Sequence, residues 1–594
     1  MKKRGIKNHW IRSLVLLISA LFILIALSYF IIPVPRFTEH TSTVIESNTG
    51  QLLGARIAKD GQWRFPPIDS IPPKFETCLL HFEDRSFHSH FGIDPKGILR
   101  ALKANYKAGR IVQGGSTITM QVARMLNNGR ERTFWNKFKE ALLALHLEVN
   151  LTKSEILNMY ASNAPFGGNV VGLETAAWRY YRTSPEDLSW SESATLAVLP
   201  NAPALIYPGR AQVQLKAKRD RLLQSLNDRG LITNEELELA KLEALPQRPE
   251  RMPMSAGHLL DKVQQSNRGI RKRTSIDFDL QLSAQRLVNE HVKGLESIEV
   301  YNGALIILDT RTQQEIVYVG NSNYTDEHAN SVDCASAPRS SGSILKPMLY
   351  ASMISAGELT PHQMIADIPT QIREYNPENY NGDFDGVVPA DEALFRSLNV
   401  PFVRLLKDYG VARFQKDLKE LGLSTLNRTP DEYGLSLMLG GAEVKLDELT
   451  KVYAQMGAKL VDQENEPSTH DKWAIHHTFR ALQELTRPEG REYQRTFSGH
   501  RKLAWKTGTS FGNRDAWAIG VTPDFTIGVW VGNADGEGRS GLTGVSSAAP
   551  LLFNTLDILP SGEWFREPIE LGNPVDLCAL SGYLSGTSCP NSIR

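Results

Sequence analysis

A serine and a lysine three residues apart, Ser343 and Lys346, carry the first candidate chemistry in this sequence. On a helix that spacing places hydroxyl and amine one turn apart on the same face, where they can hydrogen-bond. A neutral lysine could take the serine proton, and burial beside other cations favours neutrality by lowering its pKa. A helix starting at Ser343 would add its positive end where negative charge develops. Further along, Ser397-Leu-Asn399 offers a hydroxyl able to relay a proton and an amide able to hold a substrate. Lys506-Thr507-Gly508-Thr509 adds a cation and hydroxyls that can bind a carboxylate, with a glycine leaving room for a peptide backbone. The chemistry this trio suits is attack by an activated serine.

A second constellation runs from Glu83 to Asp94 and gathers Glu83, Asp84, Asp94, Arg85, His88 and His90 beside Phe87 and Phe91. Its composition alone leaves two readings open, acid or base work in a site and charge pairing on a surface. His88 and His90 stand at i and i+2, which do not share a helix face, so a structural His90 is expected rather than a metal pair. No Cys/His cluster has metal-ligand spacing, and no metal site is expected.

The elements that must position these groups divide the 594 residues into more than one folded unit, since a chain of this length exceeds a single core. Lys2, Lys3, Arg4, Lys7 and Arg12 form a basic tail over 1–12, followed by roughly 20 uncharged, mostly apolar residues, Ser13–Ile32, enough to span a bilayer. Because Phe30, Ile31 and Ile32 continue the span without small residues at a cleavage site, it reads as an uncleaved anchor rather than a signal peptide. The basic flank places the rest of the chain on the outer side. Lys+Arg and Asp+Glu are each 66, and no basic block lies beyond the N-terminus, which excludes nucleic acid as the expected partner.

Residues 39–210 show helical periodicity, with capping boxes at Thr152/Glu155 and Ser189/Glu192, and read as mostly α. Residues 211–273 are charged and helical, with a helix start at Thr233/Glu236 and a Pro-containing segment after it, and read as a connector. Over 274–558 the texture changes. Asn302–Asp309 with Glu315–Gly320, and Ala516–Val521 with Phe525–Val531, read as hairpins separated by helical segments, an α+β unit with helices on an antiparallel sheet. In the tail, 559–594, Cys578 and Cys589 flank a Gly/Ser-rich loop and are expected to pair, while Cys78 and Cys334 are expected as buried thiols.

The Glu83 segment is succeeded by Gly114–Arg124, by Lys137–Glu148 and by Tyr160–Tyr181 with Phe166-Gly-Gly168. In that order, from about Pro66 to Pro208, these segments resemble the motifs of the family 51 glycosyltransferases, which polymerise lipid-linked disaccharide-peptide. The resemblance implies a lysozyme-like helical domain over 39–210. It implies Glu83 as the base that deprotonates the acceptor hydroxyl and Glu140 as a second essential carboxylate. Asp84, Ser116, Thr117, Gln121, Arg124 and Lys137 fall where the family handles sugar and pyrophosphate, and cations there would meet the negative charge of the leaving group. Met120, Asn136 and Ser162 depart from commoner family residues, and the last two would weaken phosphate and sugar contacts.

From about Ser275 to Leu552 the serine trio resembles the penicillin-binding proteins and serine β-lactamases. This implies an acyl-enzyme on Ser343, with Lys346, Ser397, Asn399 and Lys506 catalytic and Thr507, Gly508 and Thr509 binding the D-Ala-D-Ala end. The backbone N–H groups of Ser343 and Thr509 would form the oxyanion hole. Anchor and both enzymes together resemble a class A penicillin-binding protein, of the 1C type. That resemblance implies a multidomain, bifunctional peptidoglycan synthase on the periplasmic side of a bacterial inner membrane. Its implied partners are lipid II, the growing glycan strand, stem peptides, β-lactams and the bilayer. No cofactor is implied, a divalent cation at the pyrophosphate being the one optional addition. The alternatives are a scaffold with one or both sites weakened, and a β-lactamase or D,D-carboxypeptidase.

Overall fold

The computed structural model of the chain describes residues 33–593, apart from 110–113, 128–132, 202, 324–326, 374, 462–469, 485–500, 569–574, 588 and 590–591. The apolar segment Ser13–Ile32 lies outside the described residues, and among those described no helix is long and apolar enough to cross a membrane. The chain forms two compact units. One holds the residues up to Ile45, Ala55–Pro253 and Val263–Lys272; the other holds Glu46–Gly54, Met254–Lys262 and Arg273 onward.

The first unit is mainly helical. The capping boxes at Thr152, Ser189 and Thr233 form as expected, each hydroxyl accepting the N3 backbone N–H while the N3 glutamate returns to the cap. Helix Trp190–Val198 is the central rod, with every residue from Ser193 to Val198 buried. Helix Pro73–Glu83 packs along it and ends at Glu83, so the packing of Phe75, Cys78 and Leu79 sets where that carboxylate emerges. Helices Ile118–Leu126, Phe134–Asn150 and Lys153–Asn163 pack on one another and carry most of the remaining candidate residues.

The stretch expected as a connector is instead largely part of this core. Helix Gln212–Asn227 buries Leu215, Leu222, Leu223 and Leu226, one apolar face of an otherwise charged helix. Its fully buried Arg219 donates to Ser191 Oγ and to the carbonyls of Glu243 and Lys241 and pairs with Asp220. A buried guanidinium is retained only with its donors satisfied, and these partners tie the helix down.

The second unit is built on a five-stranded antiparallel sheet in the order Ala504–Thr509, Asp515–Val521, Phe525–Gly532, Asn302–Asp309, Glu315–Val319. Both expected hairpins are present, and they join edge to edge through Phe525–Gly532 against Asn302–Asp309. Strand Asn302–Asp309 is apolar on both faces because both are covered. Helices Phe278–Leu295 and Ala549–Asp557 enclose one core on the sheet with Leu305, Ile307, Val529 and Val531. Helix Leu446–Val461 packs on the sheet so closely that a Cβ at Gly528 would lie 1.9 Å from Thr450 Oγ1. Ala504–Thr509 is one of the two edge strands of the sheet, which leaves the Lys506–Thr509 segment beside neighbours from other elements.

In the tail, Leu577–Cys578 pairs with Ser592–Ile593, and the turn between them meets strand Met364–Asp367 through Met364 N–H to Ser581 O, 2.8 Å. Cys578 and Cys589 come together here as neighbouring thiols and not as the expected disulfide. The hydrogen bond with Cys589 draws the Cys578 thiol down to about 7. Cys78 and Cys334 are buried thiols, which burial pushes up, to about 12 for Cys334.

Candidate active sites

In the first unit Glu83 Oε2 accepts from Gln121 Nε2 at 2.8 Å, while Oε1 is buried without a hydrogen-bond partner. Burial pushes the Glu83 pKa up; Gln121, Lys218 and Arg124 pull against it and Asp84 adds to it. The carboxylate is therefore more basic than an exposed one and keeps one oxygen free to accept a proton. Tyr160 and Lys218 share this neighbourhood, each feeling the Glu83 charge, and Lys218 Nζ donates to Asn201 Oδ1 at 2.9 Å. Sequence reasoning singles out neither. Lys218 lies far along the chain in the helix read as connector, and Tyr160 enters the sequence reading only as the first residue of the segment Tyr160–Tyr181, with no role of its own.

A second group joins Ser116, Lys137 and Glu140. Lys137 Nζ donates to Ser116 Oγ at 2.7 Å and to Glu140 Oε2 at 2.9 Å. Glu140 is almost fully buried while Lys137 stays 45% exposed, so the cation remains accessible to an anion. Thr133 caps the helix by accepting the Asn136 N–H, which sets Lys137 and Glu140 on its first turns.

Two residues expected to touch substrate face inward instead. Asp84 is buried and accepts from His90 Nε2 at 3.0 Å and from the Ile118 N–H at 3.0 Å. Thr117 accepts the Met120 N–H as helix cap and donates to Gly92 O at 2.6 Å. Each also accepts a backbone N–H at the start of the helix that carries Gln121 and Arg124. His90 is structural, as expected, and His88 reaches Glu76 on the surface and meets the Phe87 ring edge-on. Among the described residues no cluster could hold a metal. Of the departures, Met120 is core, and Ser162 Oγ accepts the Ile68 N–H.

In the second unit Ser343 sits in the turn just before helix Lys346–Ser355 and not within it; the turn closes through Lys346 N–H to Ser343 O, 3.3 Å. Pro347 at the next position fits a helix start, where its missing N–H costs no bond. Lys346 is fully buried, and its Nζ donates to Ser397 O at 2.7 Å and Asn399 Oδ1 at 2.8 Å. Lys506, also fully buried, donates to Ser397 Oγ at 2.8 Å and to Thr507 O. Burial holds the Lys346 amine far below the ordinary lysine range, with Lys506 pushing the same way. Burial alone brings Lys506 to about 7.

Ser397 is thus gripped from both sides, its carbonyl by Lys346 and its hydroxyl by Lys506. It holds a left-handed backbone, φ +60°, unusual for a serine. Asn399 spends its Nδ2 on Glu378 O at 2.9 Å, so its amide is held between that carbonyl and Lys346. Two glycines bring the Ser343 turn against the edge strand. A Cβ on Gly342, φ +52°, would stand 2.5 Å from Thr509 O, and one on Gly508 would stand 3.0 Å from Ser341 O. Thr509 Oγ1 accepts the Gly544 N–H at 2.9 Å, which holds the end of that strand.

The two units carry two recognisable enzymes. Residues 50–227 match the transglycosylase family model, and residues 303–457 match the penicillin-binding protein transpeptidase domain. The chain is 34% identical over 543 residues to penicillin-binding protein 1C of Escherichia coli, covering 89% of this chain and 69% of that protein. It is 28% identical to penicillin-binding protein 1F of Bacillus subtilis over 96% of this chain and 86% of that one. In fold it resembles the crystal structure of penicillin-binding protein 1A from Haemophilus influenzae, with a TM-score of 0.55 and 17% identity over 94% of this chain and 98% of that one. The chain belongs to the class A penicillin-binding proteins. It is a bifunctional enzyme of peptidoglycan synthesis, with glycosyltransferase and transpeptidase activities.

Proposed function

We propose that Glu83 is the base of the polymerase and Ser343 the nucleophile of the cross-linking site. In the first reaction Glu83 takes the proton of an acceptor sugar hydroxyl as the oxygen attacks the anomeric carbon of the growing strand. The lipid pyrophosphate leaves, and Lys137, Arg124 and Lys218 meet its charge. Glu140 holds Lys137 and Ser116 in register for that task. The substrate is lipid II, and the domain runs over about 39–210 together with the helices after it.

In the second reaction Ser343 Oγ attacks the carbonyl of the penultimate D-alanine of a stem peptide while its proton passes to neutral Lys346. The terminal D-alanine leaves as an amine, protonated through Ser397. The amine of a neighbouring stem peptide then attacks the ester, forming the cross-link and freeing Ser343. Thr507 and Thr509 bind the substrate carboxylate, Gly508 admits its backbone, and the N–H groups of Ser343 and Thr509 receive the oxyanion. A β-lactam acylates Ser343 and stays. Ser13–Ile32 anchors the chain as a single-pass type II protein with both sites on the periplasmic side, where lipid II is presented.

The observation that carries this reading is the pair of fully buried lysines on either side of Ser397, since burial supplies the neutral amine the serine needs. Incubation of the purified chain with lipid II, with separation of the resulting muropeptides, tests it. Glycan strands and cross-linked dimers are expected, the dimers vanishing with penicillin. Strands without dimers in the absence of drug would refute the cross-linking half, and no strands would refute the other.

A further inference from the structure

Helix Asn399–Tyr409 begins without a local cap. Its N-cap residue is Leu398, which has no side-chain acceptor for the first N–H groups, and these have no partner within a helix. The acceptor comes from another segment. Asn379 Oδ1 accepts the N–H of Asn399 at 2.9 Å and of Val400 at 3.2 Å. Asn379 is itself buried and held: its Nδ2 donates to Asp367 Oδ1 at 2.8 Å and to Asp383 O at 2.9 Å. Asp367 is fully buried at the end of a strand paired with Gly386–Pro389, and its second oxygen accepts the Asp385 N–H at 3.0 Å.

We propose that Asn379, backed by Asp367, is a positioning residue of the transpeptidase, a remote cap that holds Ser397 and Asn399 against the two buried lysines. Just before the capped N–H groups the chain passes through Ser397 in its left-handed conformation, which a serine does not hold unless its surroundings over-determine it. On the upstream side Ser397 N–H bonds to Leu394 O and Leu398 N–H to Ala393 O. On the downstream side Asn379 fixes the backbone N–H groups, and the Asn399 side chain bonds to Glu378 O. Without the Asn379 bonds the turn can relax, and the Ser397 carbonyl and the Asn399 amide move away from Lys346 together. The pair touches no substrate; it acts through Ser397 and Asn399.

The inference rests on the assignment of Ser343 and Lys346 given above, and the test separates the two. Acylation of the full-length protein by a fluorescent penicillin is monitored by stopped flow, resolving reversible binding from the acylation step. Asn379→Ala is expected to slow the acylation step about 100-fold, the scale of an ångström-sized misplacement, with little change in reversible binding and with the protein still folded by circular dichroism. Asn379→Asp sets two carboxylates face to face and is expected to lose at least as much. Adding Asp367→Asn to it restores the bond between the two side chains with donor and acceptor exchanged, while the Asp383 carbonyl loses its donor, and is expected to recover part of the rate. This rescue is read even where Asn379→Ala fails to fold. Wild-type acylation in Asn379→Ala, or no rescue in the double variant, overturns the proposal while leaving Ser343 in place. Labelling that survives in Ser343→Ala would instead remove the assignment on which it rests.

Discussion

Burial does opposite work in the two sites. In the polymerase it raises the Glu83 carboxylate and so strengthens a base that is already charged; in the transpeptidase it lowers the Lys346 and Lys506 amines and creates a base that would otherwise be spent. The surroundings differ accordingly. Around Glu83 lie two cations that oppose the shift, Lys218 and Arg124, as suits a site that must receive a pyrophosphate. Around Lys346 lie a carbonyl, an amide oxygen and a second lysine, and among the described residues no carboxylate offsets the lowering. A carboxylate there would restore the ammonium and disarm the serine.

The contrast is broken most severely at the lysine. Lys346→Met keeps much of the volume and removes the proton acceptor, and the acylation rate is expected to fall between about 100- and 10,000-fold, the range of general-base catalysis; stopped-flow acylation measures it. Gly342→Ala is expected to come next. Its Cβ would press on Thr509 O in a left-handed backbone, a strain of about 1–3 kcal/mol, enough to slow acylation by roughly 5- to 150-fold without touching polymerisation.

Smaller effects sharpen the comparison through pH. Glu83 must be ionised to act, so polymerisation is lost as pH falls through its raised pKa, at a higher pH than an exposed carboxylate would show. Lys218→Met removes a cation that favours the ionised form and is expected to move this acid limb to still higher pH, as read in rates of lipid II consumption. In the other unit Lys506 titrates at about 7 when folded and at about 10.4 when unfolded, so between these values the unfolded chain binds the extra proton. Stability of that unit is then expected to rise with pH from about 7 to about 10. Lys506→Met is expected to flatten part of that rise in thermal melts.

How far the sequence foretold these sites depends on how local each feature is. Ser343, Lys346, Ser397, Asn399 and Lys506 could be singled out because each sits in a short motif of set spacing, and the structure joins the last four by hydrogen bonds; the hairpins beside them were legible because strand alternation and turns are local. Gln121 beside Glu83 was legible only through resemblance. The inward turn of Asp84 and Thr117 was not legible, since a carboxylate or hydroxyl in a dense polar segment looks the same whether it faces substrate or a helix N-terminus. Lys218 was hidden because its helix, highly charged on one side, looked like a linker; Leu215, Leu222, Leu223 and Leu226 were the available sign that it was core. Asn379 and Asp367 act through contacts across the chain, which no spacing rule reports.

The central claim is that one chain holds two independent catalysts, a buried carboxylate and a lysine-activated serine. It is tested most directly by assaying both activities, lipid II polymerisation and covalent penicillin labelling, in Glu83→Gln and in Ser343→Ala. Loss of polymerisation with labelling intact in the first, and loss of labelling with polymerisation intact in the second, is the predicted result. Persistence of both activities in either variant would contradict it.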